Sequence, residues 1–402
     1  TGIDVTGTIN GVGINVIETE SILVSNDGGT GTISSALRNT GFGYEVFDDL
    51  TTGDDNTSIG RRALTKVTTG SSNVAVGSGT IELNTTGSNN TGLGYLALYA
   101  NTTASNNTAV GYAALISNTT GVNNTAVGLS SLAANTTGSE NIALGVNSLD
   151  ANTTGANNVA LGYAALGSET TGGRSVAIGR NALLVQNFTG GELPYNVAIG
   201  FNAGTAVTTG IYNTLIGGLA GDALTDADEN LAVGYLALST DTLGSHSVAL
   251  GPYTLQAQNF TSATDTFNTA VGYAAGTAVT TGKENTLIGG LAGDALTDAD
   301  ENTAVGLGAL STDTRGSKTV AIGRGALLNQ NFTSATDSYN TALGYFAGLS
   351  VTTGTNNTII GGLAGDALTT GFENVAVGQN ALSADDVGAR SVAVGTGALK
   401  VQ

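Results

Sequence analysis

The sequence has no Cys, no Met and no Trp, and its 402 residues hold only 2 Pro and 1 His. Without Cys there is no disulfide framework, so thiols give no hint of the redox compartment. An ordinary globular core of this size rarely dispenses with Cys, Met and Trp together. Aromatic residues reach 5%, and the 40% apolar content comes mostly from small and β-branched side chains. Such a mix suits a thin, layered interior rather than a thick one. Basic residues are also scarce, with 12 Lys and Arg against 31 Asp and Glu, a net charge of −19. Nucleic acid is therefore not expected as a partner, because phosphate binding needs clustered Lys and Arg. An anionic bilayer is disfavoured for the same reason, whereas divalent cations and neutral sugars remain open. No apolar run approaches the ~20 residues that span a bilayer, so no membrane insertion is expected. No charged-then-apolar signal segment opens the sequence. Thr1 stands first without Met, which reads as a processed chain or a fragment.

What is abundant is Gly, at 61 residues. Aligned on the Gly that closes the recurring apolar triplet, as in Ala109-Val110-Gly111, the chain advances in steps of 17 from Gly43 through Gly111 and Gly128 to Gly179. A step of 21 leads to Gly200, and steps of 17 resume to Gly251. The pattern recurs through Gly323 and Gly395, giving 21 units. The longer steps carry insertions around Asn187-Phe188-Thr189, Asn259-Phe260-Thr261 and Asn331-Phe332-Thr333. One step of 21 and three of 17 separate each insertion from the next. From about residue 180 onward the chain is thus a repeat of repeats, four coils to each super-repeat.

Seventeen residues are too few for a strand-helix-strand crossover, and the dense Gly, Asn and Thr oppose helix. The pattern predicts two strands of about four or five residues per unit, joined by Gly and Asn turns. Each unit then forms one turn of a parallel β-solenoid. At about 4.8 Å per coil, 21 coils make a rod about 100 Å long. Like residues fall on like, so Asn ladders hydrogen-bond along the stack. Residues 1–38 lack the period and are expected to be an N-terminal cap or a connector to a preceding segment. Residues 39–402 form the solenoid, whose last coil breaks off at Gln402 as if truncated or continuing.

The triplet before the Gly is commonly apolar on both faces, as in Val176-Ala177-Ile178 and Ile142-Ala143-Leu144. Alternate residues of a strand point to opposite faces, and a coil has one inside. A triplet apolar on both faces therefore implies a second buried surface, most simply made by parallel copies of the same chain about one axis.

The units SVAIG (residues 175–179) and NVAIG (196–200) resemble the head repeats of trimeric autotransporter adhesins. NTAVGYAAL (107–115) and NTAVGYAAG (268–276) are also similar to repeats in bacteriophage tail fibres, and residues 1–9 (TGIDVTGTI) look like fibre-proximal segments of marine phage proteins. The resemblance covers residues 39–402. It implies an all-β, left-handed β-roll assembled as a parallel homotrimer; handedness and chain number both rest on it. The unit of 17 is longer than is usual in adhesin heads.

Catalytic chemistry has little to draw on. The single His246 has no recognisable nucleophile beside it, and Gly11-Val12-Gly13 is an isolated Gly-rich scrap, so no enzymatic role is expected. Arg174, His246, Lys318 and Arg390 recur once per super-repeat, and one coil below the last three stand Glu229, Glu301 and Glu373. These are read as inter-coil charge pairs that set register, facing each other across adjacent coils. GDALTDADE occurs at 221–229 and 293–301, offering Asp222, Asp226, Asp228, Asp294, Asp298 and Asp300 to calcium. The spacing lacks the full ligand set of a known calcium loop, which favours solvated turns that keep a fibre soluble. Tyr95, Tyr112, Tyr163, Tyr235, Tyr273 and Tyr345 each follow a marker Gly, as packing at a corner or as platforms for sugars. Thr-Thr pairs such as Thr119-Thr120 suggest an ice-binding face, which the insertions interrupt. Asn-x-Thr triplets mark surface turns.

The expected role is a stiff extracellular rod without cofactors: a phage tail fibre or similar virion fibre in host attachment, meeting a cell-surface receptor or glycan. The head of a bacterial trimeric surface adhesin is the alternative, and a ligand-binding solenoid for ice, calcium or glycan the second.

Overall fold

The structure is a computed structural model that describes residues 7–9, 12–17, 21–25 and 35–400. The chain divides into two compact units, Thr1–Asn196 and Val197–Gln402. Among the described residues there is no helix.

In the first unit, β1 (Gly7–Ile9) and β2 (Val12–Ile17) pair antiparallel, and β2 pairs antiparallel with β3 (Ser21–Ser25). β3 then runs parallel to β4 (Thr40–Phe42), the first strand of the periodic region, with Leu23 opposite Gly41. Of the expected N-terminal segment, residues 1–6, 10–11, 18–20 and 26–34 lie outside the described residues. From β4 onward the unit is a parallel β-solenoid of nine coils, in which every strand pairs with the equivalent strand of the next coil. Thr108, Ala109 and Val110 stand opposite Thr125, Ala126 and Val127. The second unit is built the same way with twelve coils.

Each coil has one regular strand rather than the two expected, and it is three residues long. After the marker Gly, alternate residues take positive φ, such as Ala113 (53°) and Leu115 (53°), so the backbone cannot extend there. Coil-to-coil bonding continues all the same. The Ala113 amide donates to Tyr95 O of the coil below (2.9 Å), and the Leu115 amide to Ser131 O of the coil above (3.0 Å). The second side is a ladder without being a strand. Two extra two-residue strand pairings occur in the second unit, where Gly244–Ser245 pairs with Thr264–Asp265 and Gly316–Ser317 with Thr336–Asp337.

The core is as thin as the composition implies. The middle residue of the triplet (Ala109) and the Ala-Leu pair after the turn (Ala114, Leu115) are fully buried. Two Asn ladders close the ends of this interior. Asn107 Oδ1 accepts from the Asn124 amide (2.9 Å), while Asn124 Nδ2 donates to Gly138 O (2.9 Å). Asn135 Nδ2 likewise donates to Asn118 Oδ1 (2.8 Å). Each of these buried amides is thus matched one coil away, which is why a polar core is tolerated.

At the marker glycines adjacent coils approach closely. Gly111, with φ 136°, would place a Cβ 2.5 Å from Gly128 O, and Gly179, Gly251, Gly323 and Gly395 have φ between 125° and 134°. At Gly111 only Gly fits both the torsion and the space.

Where the second unit replaces the buried Leu by Gly, volume returns from other rungs. A Cβ on Gly221 would lie 2.7 Å from Leu215 Cδ2 and 2.9 Å from Leu224 Cδ1, both buried leucines. The equivalent places in the Gly111 coil are Ala109 and Asn118.

Candidate functional site

The strand triplet turns its middle residue into the coil and its flanking residues outward, so Ala109 is buried while Thr108 and Val110 are half-buried. The outward residue just before the marker Gly is Val, Ile, Leu or Phe in all 21 coils, from Phe42 to Val394. Ile59 is 42% exposed and Leu250 41%. A one-sided sheet normally puts polar residues there. The residue after the Gly adds aromatic rings: Tyr95 stacks on Tyr112 at 5.3 Å between ring centroids, and Tyr253, two residues after Gly251, meets Tyr235 at 5.6 Å and Tyr273 at 5.8 Å, edge to face. About half of each marker-position ring is open, so these tyrosines pack on one another without being buried.

The rung five residues before the marker Gly carries the charges. Positive φ is the rule there, and Asn89, Asn106, Asn123 and Asn157 occupy it in the first unit, Asn being among the residues that tolerate it best. In the second unit it holds the expected pairs. His246 Nε2 lies 3.5 Å from Glu229 Oε2, and Arg390 Nε donates to Glu373 Oε2 at 2.8 Å. The third pair differs. Lys318 Nζ donates to Asp337 Oδ2 (2.7 Å) on the inserted loop of the next coil, not to Glu301. The loop brings a carboxylate within reach, and the Lys318 bond holds Asp337 below its ordinary carboxylate pKa. His246 gains the equivalent partner, Asp265 Oδ1, at 3.1 Å.

The six acids proposed for calcium do not converge. Asp228 Oδ1 accepts the Ile211 amide and Asp300 Oδ1 the Lys283 amide, each at 2.8 Å. Asp226 takes the Thr209 hydroxyl (2.5 Å), and Asp298 lies 3.4 Å from Arg315. Among the described residues no three acidic, His or Cys side chains gather where an ion would sit. Asp222 and Asp294 stand apart from them. With Asp366 they have a buried Oδ1 without a hydrogen-bond partner, and burial raises all three carboxyls above the usual pKa. The folded state penalises their charged form. The penalty is therefore full at neutral pH and relieved as pH falls through the raised value toward 3.8. Asp294→Asn should raise the melting temperature at neutral pH and leave it unchanged at pH 3. The gain stays under about 1 kcal/mol because the group is partly solvated. Melting curves at both pH values check this.

The threonine ladder spends part of its hydroxyls internally. Thr119 Oγ1 donates to Thr136 O (2.9 Å) and Thr136 Oγ1 to Thr153 O (3.0 Å).

A set of buried polar residues went unnoticed in the sequence. Glu169, Asp241 and Asp313 are fully buried, each beside a buried Gln one coil above: Gln186, Gln258 and Gln330. Asp241 accepts from Gln258 Nε2 (2.6 Å), the Phe260 amide (2.9 Å) and the Gly244 amide (3.1 Å). Glu169 and Asp313 repeat the arrangement. Phe188, Phe260 and Phe332 of the insertions are nearly buried beside them, so each insertion is plugged into the coil. The same super-repeat spacing that revealed the charge pairs would have found these acids.

The sequence matches no protein-family model, and no curated protein matches it either.

Proposed function

We propose that this chain is a structural, non-enzymatic fibre protein working outside the cell as a parallel homotrimeric rod. The carrying observation is the outward apolar row, unbroken by any polar residue in all 21 coils. Within each unit the row repeats from coil to coil, an apolar surface of the kind a soluble monomer seldom leaves uncovered. Cyclic packing of like copies hides such a row without creating a new edge. Three is the number implied by the resemblance to adhesin head repeats. A virion fibre that holds a receptor-binding element away from its particle is the setting we favour, since each coil repeats its bonds to its neighbours and length comes from repetition. Genes for virion attachment beside this one, rather than a β-barrel anchor, would support that setting over a bacterial surface adhesin.

Light scattering of the purified chain should give three times its 39.6 kDa mass. Val271→Asp with Val305→Asp, charging two outward positions in the second unit, should reduce it to the mass of one chain. A single-chain or two-chain mass for the unaltered protein would overturn the trimer.

A further inference from the structure

We infer that the loops of the three 21-residue coils are carbohydrate-binding sites, and that each presents one exposed ring to a neutral polysaccharide. The rings are Tyr195, Phe267 and Tyr339, which occupy the positive-φ rung at 49–50°. On this rung five of the 17-residue coils carry Asn (Asn89, Asn106, Asn123, Asn157 and Asn356) and one carries a further ring, Tyr212, while all three 21-residue coils carry a ring, which brings no backbone advantage. Nor does burial explain the choice, because Tyr195 is 42% exposed, Phe267 54% and Tyr339 53%.

The surroundings repeat in chemistry while changing in identity. Beneath each ring lies a basic side chain: Arg174 over Tyr195 (5.5 Å to the centroid), His246 stacked on Phe267 (5.2 Å), and Lys318 over Tyr339 (5.5 Å). In the second unit an acid stands two residues before the ring, Asp265 or Asp337, and each meets its basic partner. Arg becomes His and then Lys, and Tyr becomes Phe and then Tyr. What persists is a flat apolar surface flanked by donors and acceptors, the combination that grips a pyranose through its C–H face and its hydroxyls.

The loops are also held still. The short parallel pairings Gly244–Ser245 with Thr264–Asp265 and Gly316–Ser317 with Thr336–Asp337 tie two of the loops to the coil below, and Phe260 and Phe332 anchor them inside. A pre-ordered ring loses little freedom on binding. In the second unit the two rings are four coils apart, about 19 Å at the usual strand spacing. A sugar chain that reaches both gains from the second contact without a stronger single one. A net charge of −19 disfavours acidic glycans, which points to neutral ones.

The inference rests on the fibre reading only for where the sugar would be met. Electrophoresis of the full chain through gels containing dextran, mannan or galactan tests it. At least one should retard the protein, and the variant carrying Tyr195→Asn, Phe267→Asn and Tyr339→Asn should lose at least tenfold of that retardation. Because Asn suits the rung, the variant should melt no lower than the parent, and Phe267→Tyr should bind as the parent does. Three outcomes overturn the idea: no retardation by any of the three polymers, equal retardation of the variant, or a lower-melting variant, which would make the rings part of the loop's own packing. Chain number is read separately by light scattering, so either reading can fail alone.

Discussion

Gly128→Ala should cut the first unit in two. Its φ of 136° is a region that residues with a Cβ avoid, and the added atom would lie 2.4 Å from Gly145 O and 2.6 Å from Gly145 C. No side chain can swing aside, because the obstruction is the backbone of the next coil, itself held by the Gly145 amide donating to Val127 O (2.8 Å). Torsional strain alone costs about 1–3 kcal/mol, and separating two coils adds to it. In a stack where each coil touches only its neighbours, one failed interface uncouples what lies on either side. Hydrogen exchange should therefore accelerate by at least a hundredfold in the amides that join the Gly128 and Gly145 coils, and the melting curve should lose its single transition. Gly362→Ala is the control. Its Cβ would come no nearer than 4.0 Å to Tyr345 O, so stability should change by less than about 0.5 kcal/mol. Unchanged exchange in the Gly128 variant would mean that the coils do not meet as described.

Asp241→Leu should be nearly as damaging for a different reason. Three buried donors converge on this carboxylate, and Leu would leave the Gly244 amide, the Phe260 amide and Gln258 Nε2 without that acceptor. Each orphaned donor costs about 1–3 kcal/mol, and a buried polar network broken from one side loses about 3–5 kcal/mol in all. Asp241→Asn should lose less, since one oxygen remains. It still places an NH₂ against a Gln258 that cannot turn round, because Gln258 Oε1 already accepts from Asn268 Nδ2 (2.9 Å). Protease cleavage within residues 259–267 should become fast in the Leu variant, intermediate in the Asn variant and slow in the parent. Equal cleavage of all three would show that the acid does not hold the insertion.

The coil and its register were legible because the marker Gly leaves no alternative residue at a backbone contact, so its spacing survives all other variation. The outward apolar row was legible for the same kind of reason, as an alternation that failed to alternate. The second strand was misread. Leu98 and Leu115 look like strand residues by composition, but their positive φ values depend on hydrogen bonds between neighbouring coils, which no local pattern reveals. Lys318 was paired with Glu301 by spacing alone, whereas a four-residue insertion moved Asp337 into reach. Glu169, Asp241 and Asp313 were passed over because an acid in a soluble chain is expected on the surface. Their burial is explained by three converging donors, which for Asp241 are the Gly244 amide, Gln258 Nε2 and the Phe260 amide of the inserted loop.

The Val, Leu, Asp and Gln that share one interior rung in the second unit bear on how the protein varies in length. Where that rung is uniformly Asn, from Asn84 to Asn152, the stack is indifferent to losing or duplicating a single coil, since every neighbour finds the same amide. In the second unit a frame slipped by one coil would set Asp241 or Asp313 against an aliphatic side chain with nothing to donate to it. Slippage there is tolerated only in blocks of a whole super-repeat, so copy number changes finely at one end of the chain and coarsely at the other.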